Sequence, residues 1–273
     1  GSTADWSYTA TYQYDNTDAT SYVSVALNDT TTKSAVGKYG YTTSSITDSK
    51  YGLTVHDSNS FYVIFDRVDL TISTPDNRID VGSTATIDFA GTYAYDGSTF
   101  TGTVTYNDTL TKNTVGKYGY TVSSISDPTY GLTAFTSNSV SIIFDRVDLT
   151  LSVADNRINV GESMPWDFTA VYAYDNADAK PYLTVNLNDT ATKDTVGRWA
   201  FKVASISDSQ YDLTVFDTNT ISCIWDRVQL SFTGVSGGTM NPTVTLTATH
   251  EYDGADAEIT LNAYLTSQVG SAS

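Results

Sequence analysis

Side chains able to do chemistry are unevenly distributed in this 273-residue chain. Carboxylates abound, with 31 Asp and Glu, but there are only two histidines and one cysteine. His56 and His250 fall at non-equivalent places in the chain's repeating pattern, and neither belongs to a His-Glu-x-x-His or a Cys/His cluster that would bind zinc. No Gly-rich phosphate loop leads from a strand into a helix, and no Gly-x-Ser-x-Gly elbow presents a nucleophile. A close Asp pair would suit glycoside hydrolysis. Every such pair recurs in three copies, however, and identical sites in series are not an enzyme's pattern. The expectation is that the chain is not an enzyme.

The recurring polar residues suggest other chemistry. Asp66, Asp145 and Asp226 occupy one position of a repeated octapeptide, and Asp76-Asn77 and Asp155-Asn156 follow in equivalent turns. Ca2+ takes roughly six to eight oxygen ligands, so these seven residues are candidate Ca2+ ligands, with Ca2+ the one cofactor considered. Against this, no Asp-x-Asp-x-Asp-Gly loop is present. Asp66 has a competing role, pairing with Arg67 or Arg78 or capping a turn. Asn28, Asn107 and Asn188 each open an Asn-Asp-Thr sequon and are candidate glycosylation sites. Lys33, Lys112 and Lys193 follow each Asn by five residues. They are weak candidates for an intramolecular isopeptide bond, since the Thr-rich turn suggests exposure. Most of the 20 Tyr fall on inward registers, and Gly40 and Gly119 leave the outer face bare, which is poor support for a sugar platform.

These residues are carried on a repeat. Ile64-Phe65-Asp66-Arg67-Val68-Asp69-Leu70-Thr71 returns unchanged at Ile143–Thr150 and edited at Ile224–Ser231. Tyr14-Asp15, Tyr95-Asp96, Tyr174-Asp175 and Tyr252-Asp253 are spaced by 81, 79 and 78 residues. A period of about 80 residues suits a β-sandwich unit rather than a helical solenoid. Apolar residues alternate with polar ones throughout, giving a period of two and no convincing helical pattern. In the second copy this predicts strands at Val68–Ser73, Ala85–Tyr95, Gly102–Tyr106, Tyr118–Val122, Tyr130–Phe135 and Val140–Phe144, with Pro75-Asp76-Asn77-Arg78 as a turn. Trp6–Tyr14 and Trp166–Tyr174 match Ala85–Tyr95. Cys223 stands where Val63 and Ile142 stand, so a buried thiol acting as a small hydrophobe is expected. The fold class expected is all-β, tandem immunoglobulin-like sandwiches in an extended array.

The expected boundaries are 1–67 (lacking its first strand), 68–146, 147–227 and 228–273. The last supplies strands at Val228–Val235, Val244–Tyr252 and Ile259–Leu265, with Val269-Gly270 beyond. The module joints are Asp66-Arg67, Asp145-Arg146 and Asp226-Arg227. Phe65 ends one inward phase and Val68 begins another, so the linker is two residues, too short to behave as a flexible coil. Alternatively, the Val68 strand folds back onto the preceding module.

Composition narrows the function classes. The net charge of −17 argues against nucleic acid and anionic membranes as partners. No run of 18 apolar residues reads as a membrane span. Gly1-Ser2 reads as an expression scar, so a leader is expected to be missing. The Tyr-x-Tyr-Asp, Asn-Asp-Thr and Val-Gly-Lys-Tyr series resembles tandem Ig-like repeats of large archaeal and bacterial cell-surface proteins. That resemblance implies export to the surface and a stalk, adhesin or surface-layer role. The expected function is an extracellular structural repeat protein, a semi-rigid spacer or a filament subunit whose copies pair by strand complementation at open edges. The alternative is an adhesin for a carbohydrate or protein on another surface. A divergent tip would mark an adhesin, and none is visible.

Overall fold

Residues 1–233 and 245–260 are described by a computed structural model. The chain is all-β. Among the described residues there is no α-helix, only a 3-10 turn at Lys180–Tyr182. The first repeat carries β1 (Ser2–Thr3), β2 (Val23–Leu27), β3 (Thr32–Lys33), β4 (Gly37–Tyr41), β5 (Thr43–Asp48) and β6 (Phe61–Phe65). The second carries β7 (Val68–Ser73), β8 (Arg78–Asp80), β9 (Asp88–Tyr93), β10 (Thr103–Tyr106), β11 (Gly116–Ser126), β12 (Phe135–Ser137) and β13 (Ser139–Asp145). The third carries β14 (Val147–Val153), β15 (Arg157–Asn159), β16 (Trp166–Tyr172), β17 (Leu183–Leu187), β18 (Gly197–Phe201), β19 (Val203–Asp208), β20 (Phe216–Thr218) and β21 (Ile221–Asp226), and β22 (Val228–Thr233) and β23 (Thr245–His250) follow.

The chain divides into two compact units. One comprises Gly1–Asn77, Ser83–Lys112 and Lys117–Ile143; the other comprises Arg78–Gly82, Asn113–Gly116 and Phe144–Ser273. In the first, β7 is the middle of a three-stranded sheet. It pairs antiparallel with β9 (Leu70 opposite Gly91) and parallel with β12 (Val68 opposite Phe135). Its alternation turns Val68, Leu70 and Ile72 into a core with Tyr93, Phe100 and Val122, while Asp69, Thr71 and Ser73 point away. Period-two patterning and burial of one face reinforce each other here.

The second unit repeats this arrangement. There β14 is the middle strand, antiparallel to β16 (Leu149 opposite Ala170) and parallel to β20 (Val147 opposite Phe216). Val147, Leu149 and Leu151 meet Ala170, Tyr172, Val203 and Leu213 in one core. A second core gathers Met164, Phe201, Cys223 and Trp225 beneath the sheet β15–β21–β18. Cys223 is fully buried, and burial pushes its thiol pKa up, so it behaves as an apolar side chain.

Several expectations are corrected. The strand predicted over Trp6–Tyr14 has no ladder at residues 4–10, and the segment around His56, where the repeat pattern places a penultimate strand, is likewise not a strand. Both have the same physical cause. Their equivalents, β16 and β20, are laddered onto one middle strand, β14, and the first repeat has no such strand among the described residues. Pairing is what makes an extended segment a strand, so these two remain unpaired despite the right alternation. Tyr130–Ala134 is turn and coil, because Asp127 collects the backbone N–H groups there, and the strand starts only at Phe135. Arg78, expected in a turn, opens β8. The strand expected at Tyr118–Val122 runs over Gly116–Ser126. Val235, Val244, Leu265 and Val269-Gly270 lie outside the described residues, and Ile259-Thr260 forms no strand.

The Tyr-Asp loops turn out to be alike. Asn16 and Asn176 take φ of 55° and 57°, beside 73° and 69° at Gly97 and Gly254. Asn tolerates the left-handed region better than most residues. It therefore replaces Gly, and each of these four N–H groups donates back to the carbonyl four residues earlier.

Candidate functional site at the repeat joints

The residues of the octapeptide joint do one job three times. Asp66 Oδ1 accepts the N–H of Arg67 (2.8 Å) and of Tyr95 (2.9 Å). Asp145 Oδ1 accepts those of Arg146 (2.8 Å) and Tyr174 (2.9 Å). Asp226 Oδ1 accepts those of Arg227 (2.8 Å) and Tyr252 (3.0 Å). The carbonyls of Arg67, Arg146 and Arg227 accept the N–H of Ala94, Ala173 and Glu251. One carboxylate thus fixes both the Asp-Arg step it belongs to and the Tyr-Asp loop that follows it in sequence. The Arg side chains turn aside: Arg67 pairs with Asp69, Arg146 with Asp148, and Arg227 with Glu251.

At the joint holding Asp145, the second carboxylate oxygen meets Arg78. Nε lies 2.9 Å and Nη2 2.7 Å from Oδ2, and Nη2 also reaches Asp175 Oδ1 at 3.0 Å. The guanidinium lies 4.4 Å from the ring centre of Tyr211, 4.7 Å from Tyr172 and 5.9 Å from Tyr174. Delocalised charge over aromatic faces is favourable, the more so when desolvated. Arg78 holds the Asp175 carboxyl below its ordinary pKa. Nearby, Asp80 accepts the N–H groups of Thr214 (2.9 Å) and Val215 (3.0 Å) and the Thr214 hydroxyl (2.6 Å).

The device is looser elsewhere. Arg157 takes the place of Arg78, reaching Asp253 at 2.5 Å and Asp226 Oδ2 at 3.2 Å. Arg157 Nε and Asp226 Oδ2 are not aligned for a hydrogen bond, and neither atom has a hydrogen-bond partner among the described residues. His250 Nδ1 also stands 3.2 Å from Asp226 Oδ2, where Tyr172 stands beside Arg78. Asp66 has no ion-pair partner among the described residues. Tyr130, the counterpart of Tyr211, is 65% exposed, with no cation over its ring among the described residues.

No protein-family model matches the chain, and no curated protein matches it at a significant level.

The other candidate Ca2+ ligands serve the backbone. Asp76 accepts the Thr74 hydroxyl through its carbonyl, and Asn77 and Asn156 accept the N–H groups of Ile143 and Ile224. Asp155 caps the Arg157 N–H. Among the described residues no three His, Cys, Asp or Glu side chains are grouped as metal ligands. Beside Asp145 the counter-charge is supplied by Arg78.

Asn28, Asn107 and Asn188 are exposed, and each Oδ1 accepts a backbone N–H across the hairpin, from Thr42, Thr121 and Lys202 at 2.8–2.9 Å. The three lysines are not exposed as expected. Their side chains are 12–13% accessible, and each Nζ meets the Asp four residues back, Asp29, Asp108 or Asp189, at 2.5–2.6 Å. Each ammonium group also lies over a ring, of Tyr39, Tyr118 or Trp199, at 5.0–5.9 Å from its centre, so charge and aromatic face hold the side chain down together. The partner is the Asp of Asn-Asp-Thr, not the Asn. Nor is the outer face of the first repeat bare, because Tyr62 lies over Gly40 from the neighbouring strand.

Two devices escaped sequence reasoning. Asp48, Asp127 and Asp208 accept the hydroxyls of Tyr12, Tyr93 and Tyr172 (3.1, 2.7 and 2.9 Å) and the backbone of the loops that follow. Burial would raise the pKa of Asp48 and Asp127, but these donors outweigh it and hold both below the ordinary value. Burial and the Asp48 carboxylate push Tyr12 up to about 12. The signal was the thrice-repeated Ile-x-Asp-x-x-Tyr-x-Leu. Second, Asn138 donates to the carbonyl and accepts the N–H of Ile72 (2.9 and 2.7 Å), and Asn219 does the same to Leu151 (3.0 and 2.7 Å). Its signal was the recurrence of Asn59, Asn138 and Asn219.

Proposed function

We propose that this chain is an extracellular structural repeat protein of tandem Ig-like β-sandwich modules of about 80 residues, with boundaries near 67, 146 and 227. Its work is to hold modules at fixed intervals as a cell-surface spacer or as a filament subunit. The observation that carries this reading is the use of Asp66, Asp145 and Asp226 in one identical backbone clamp. These carboxylates hold the backbone of the chain itself, as Asp side chains in turns commonly do. Electron microscopy of the purified chain tests it: uniform rods or filaments are expected, and compact particles of irregular outline overturn it.

The adhesin reading has one specific observation in its favour. Tyr14, Tyr51, Tyr62 and Tyr130 are well exposed, and exposed rings stack on sugars. Binding to a glycan array that is lost in Tyr62→Ala would establish it.

A further inference from the structure

The Asn-Asp-Thr turn occurs once in each repeat, directly after β2, β10 and β17. The fold accounts for two of its three residues. Each Asn brackets the residue opposite it in the hairpin. Its N–H donates to the carbonyl of Thr42, Thr121 or Lys202 at 3.0 Å, and its Oδ1 accepts that residue's N–H. Each Asp carries the ion pair to Lys33, Lys112 or Lys193 and accepts the N–H of the following Thr at 2.7 Å. Any residue but proline could supply that N–H. The Thr hydroxyl has no comparable task. As a donor it reaches only the Asp carboxylate and the carbonyl two residues on, always at 3.4–3.5 Å, the far limit for such a bond.

The amide nitrogens are spare in the same sense. Among the described residues only Asn107 Nδ2 donates to the protein, to the Gly119 carbonyl at 3.4 Å. An amide nitrogen carries two hydrogens, so substituting one leaves the other for such a bond and leaves Oδ1 untouched. The Asn and the Thr are exposed in all three turns. An exposed Asn with a hydroxyl two residues on is the acceptor pattern for N-glycosyl transfer. The hydroxyl that the fold barely uses is the one this pattern requires.

We propose that Asn28, Asn107 and Asn188 each carry an N-linked glycan, rooted at the same turn of each repeat. This rests on the extracellular reading, because the transfer takes place on exported chains. The donor is an oligosaccharide activated on a lipid phosphate. Nδ2 forms a bond to C1 of the first sugar as the bond from C1 to the phosphate oxygen breaks. The lipid phosphate leaves with the electron pair, and Nδ2 gives up one proton. The hairpin survives the change, since each Oδ1 keeps the N–H of Thr42, Thr121 or Lys202. A bulky, solubilising group is thereby added to every repeat at a position that costs the fold no hydrogen bond.

The test is peptide mapping by mass spectrometry of the chain isolated from the cells that make it. Sugar is expected on Asn28, Asn107 and Asn188. In the same cells Thr30→Val should remove the sugar from Asn28 and leave the other two, while Thr30→Ser should keep all three. Made in a bacterial cytoplasm, where no sugar is added, Thr30→Val should match the unaltered chain in urea midpoint. A clear loss there would return the hydroxyl to the fold and overturn the argument. A sugar on Asn28 that survives Thr30→Val overturns it too. Bare asparagines on a chain found outside the cell overturn the modification and leave the extracellular reading standing. A bare chain found only inside the cell removes both.

Discussion

The Arg78 guanidinium grips one oxygen of Asp145 twice, at 2.7 and 2.9 Å, with both side chains sealed from solvent. The other oxygen of Asp145 is held by two backbone N–H groups. This asymmetry makes the two partners unequal. Arg78→Met strands a buried carboxylate, at a cost of about 3–5 kcal/mol. Asp145→Asn keeps an oxygen for both N–H groups and leaves Arg78 its bond to Asp175, so it should cost less. Urea denaturation of the two variants measures the difference, and equal or reversed losses contradict the assigned geometry.

Asp127 predicts a pH dependence. Three backbone N–H groups and the Tyr93 hydroxyl hold its folded-state pKa below the ordinary 3.8. A depressed carboxylate stabilises the fold above its unfolded pKa, and the contribution is lost as pH falls through the lower folded value. Melting temperature should therefore drop as pH is taken below 3.8. Asp127→Asn should melt lower at neutral pH and show a shallower acid slope. An unchanged slope would place the acid sensitivity elsewhere.

Much of this was legible in the sequence. Alternation placed Val68, Leu70 and Ile72 inside, and equivalence with Val63 and Ile142 put Cys223 in the core. What alternation could not convey was which neighbour each strand has. Trp6–Tyr12 carries the inward pattern of Trp166–Tyr172, with Tyr8 in place of Phe168, yet only the latter is laddered, because a strand is defined by its partner. The joint was visible as a repeat, but its chemistry was not. Arg78 and Asp145 are 67 residues apart, and Asp80 meets Thr214 across 134. Separations of that size carry no local signal. The lysines were misplaced for a related reason: a Thr-rich turn suggests exposure, and only the fold brings Tyr39 or Trp199 beneath the ammonium group.

The ion pairs also bear on Ca2+. Asp145 and Asp175 already share a guanidinium, and displacing Arg78 would leave that cation buried without its partners. Melting curves in millimolar CaCl2 and in chelator should coincide for the intact chain. A rise in melting temperature that saturates with Ca2+, and that Asp66→Asn abolishes, would restore a joint metal. Asp66 is the informative position because it has no arginine within ion-pair reach among the described residues.

Asn138 and Asn59 offer the sharpest contrast between identical side chains. Asn138 ties its amide to both backbone groups of Ile72, at 2.7 and 2.9 Å, and Ile72 is itself buried. Asn138→Ala leaves an N–H and a carbonyl without partners in a partly buried place, which costs about 1–3 kcal/mol. Asn59 occupies the same position of its repeat but is exposed and grips nothing among the described residues. Asn59→Ala should accordingly leave the denaturation midpoint nearly unchanged, while Asn138→Ala lowers it. Urea denaturation of the two variants checks this, and a loss in Asn59→Ala equal to that in Asn138→Ala would mean that residue 59 already holds a strand in its own repeat.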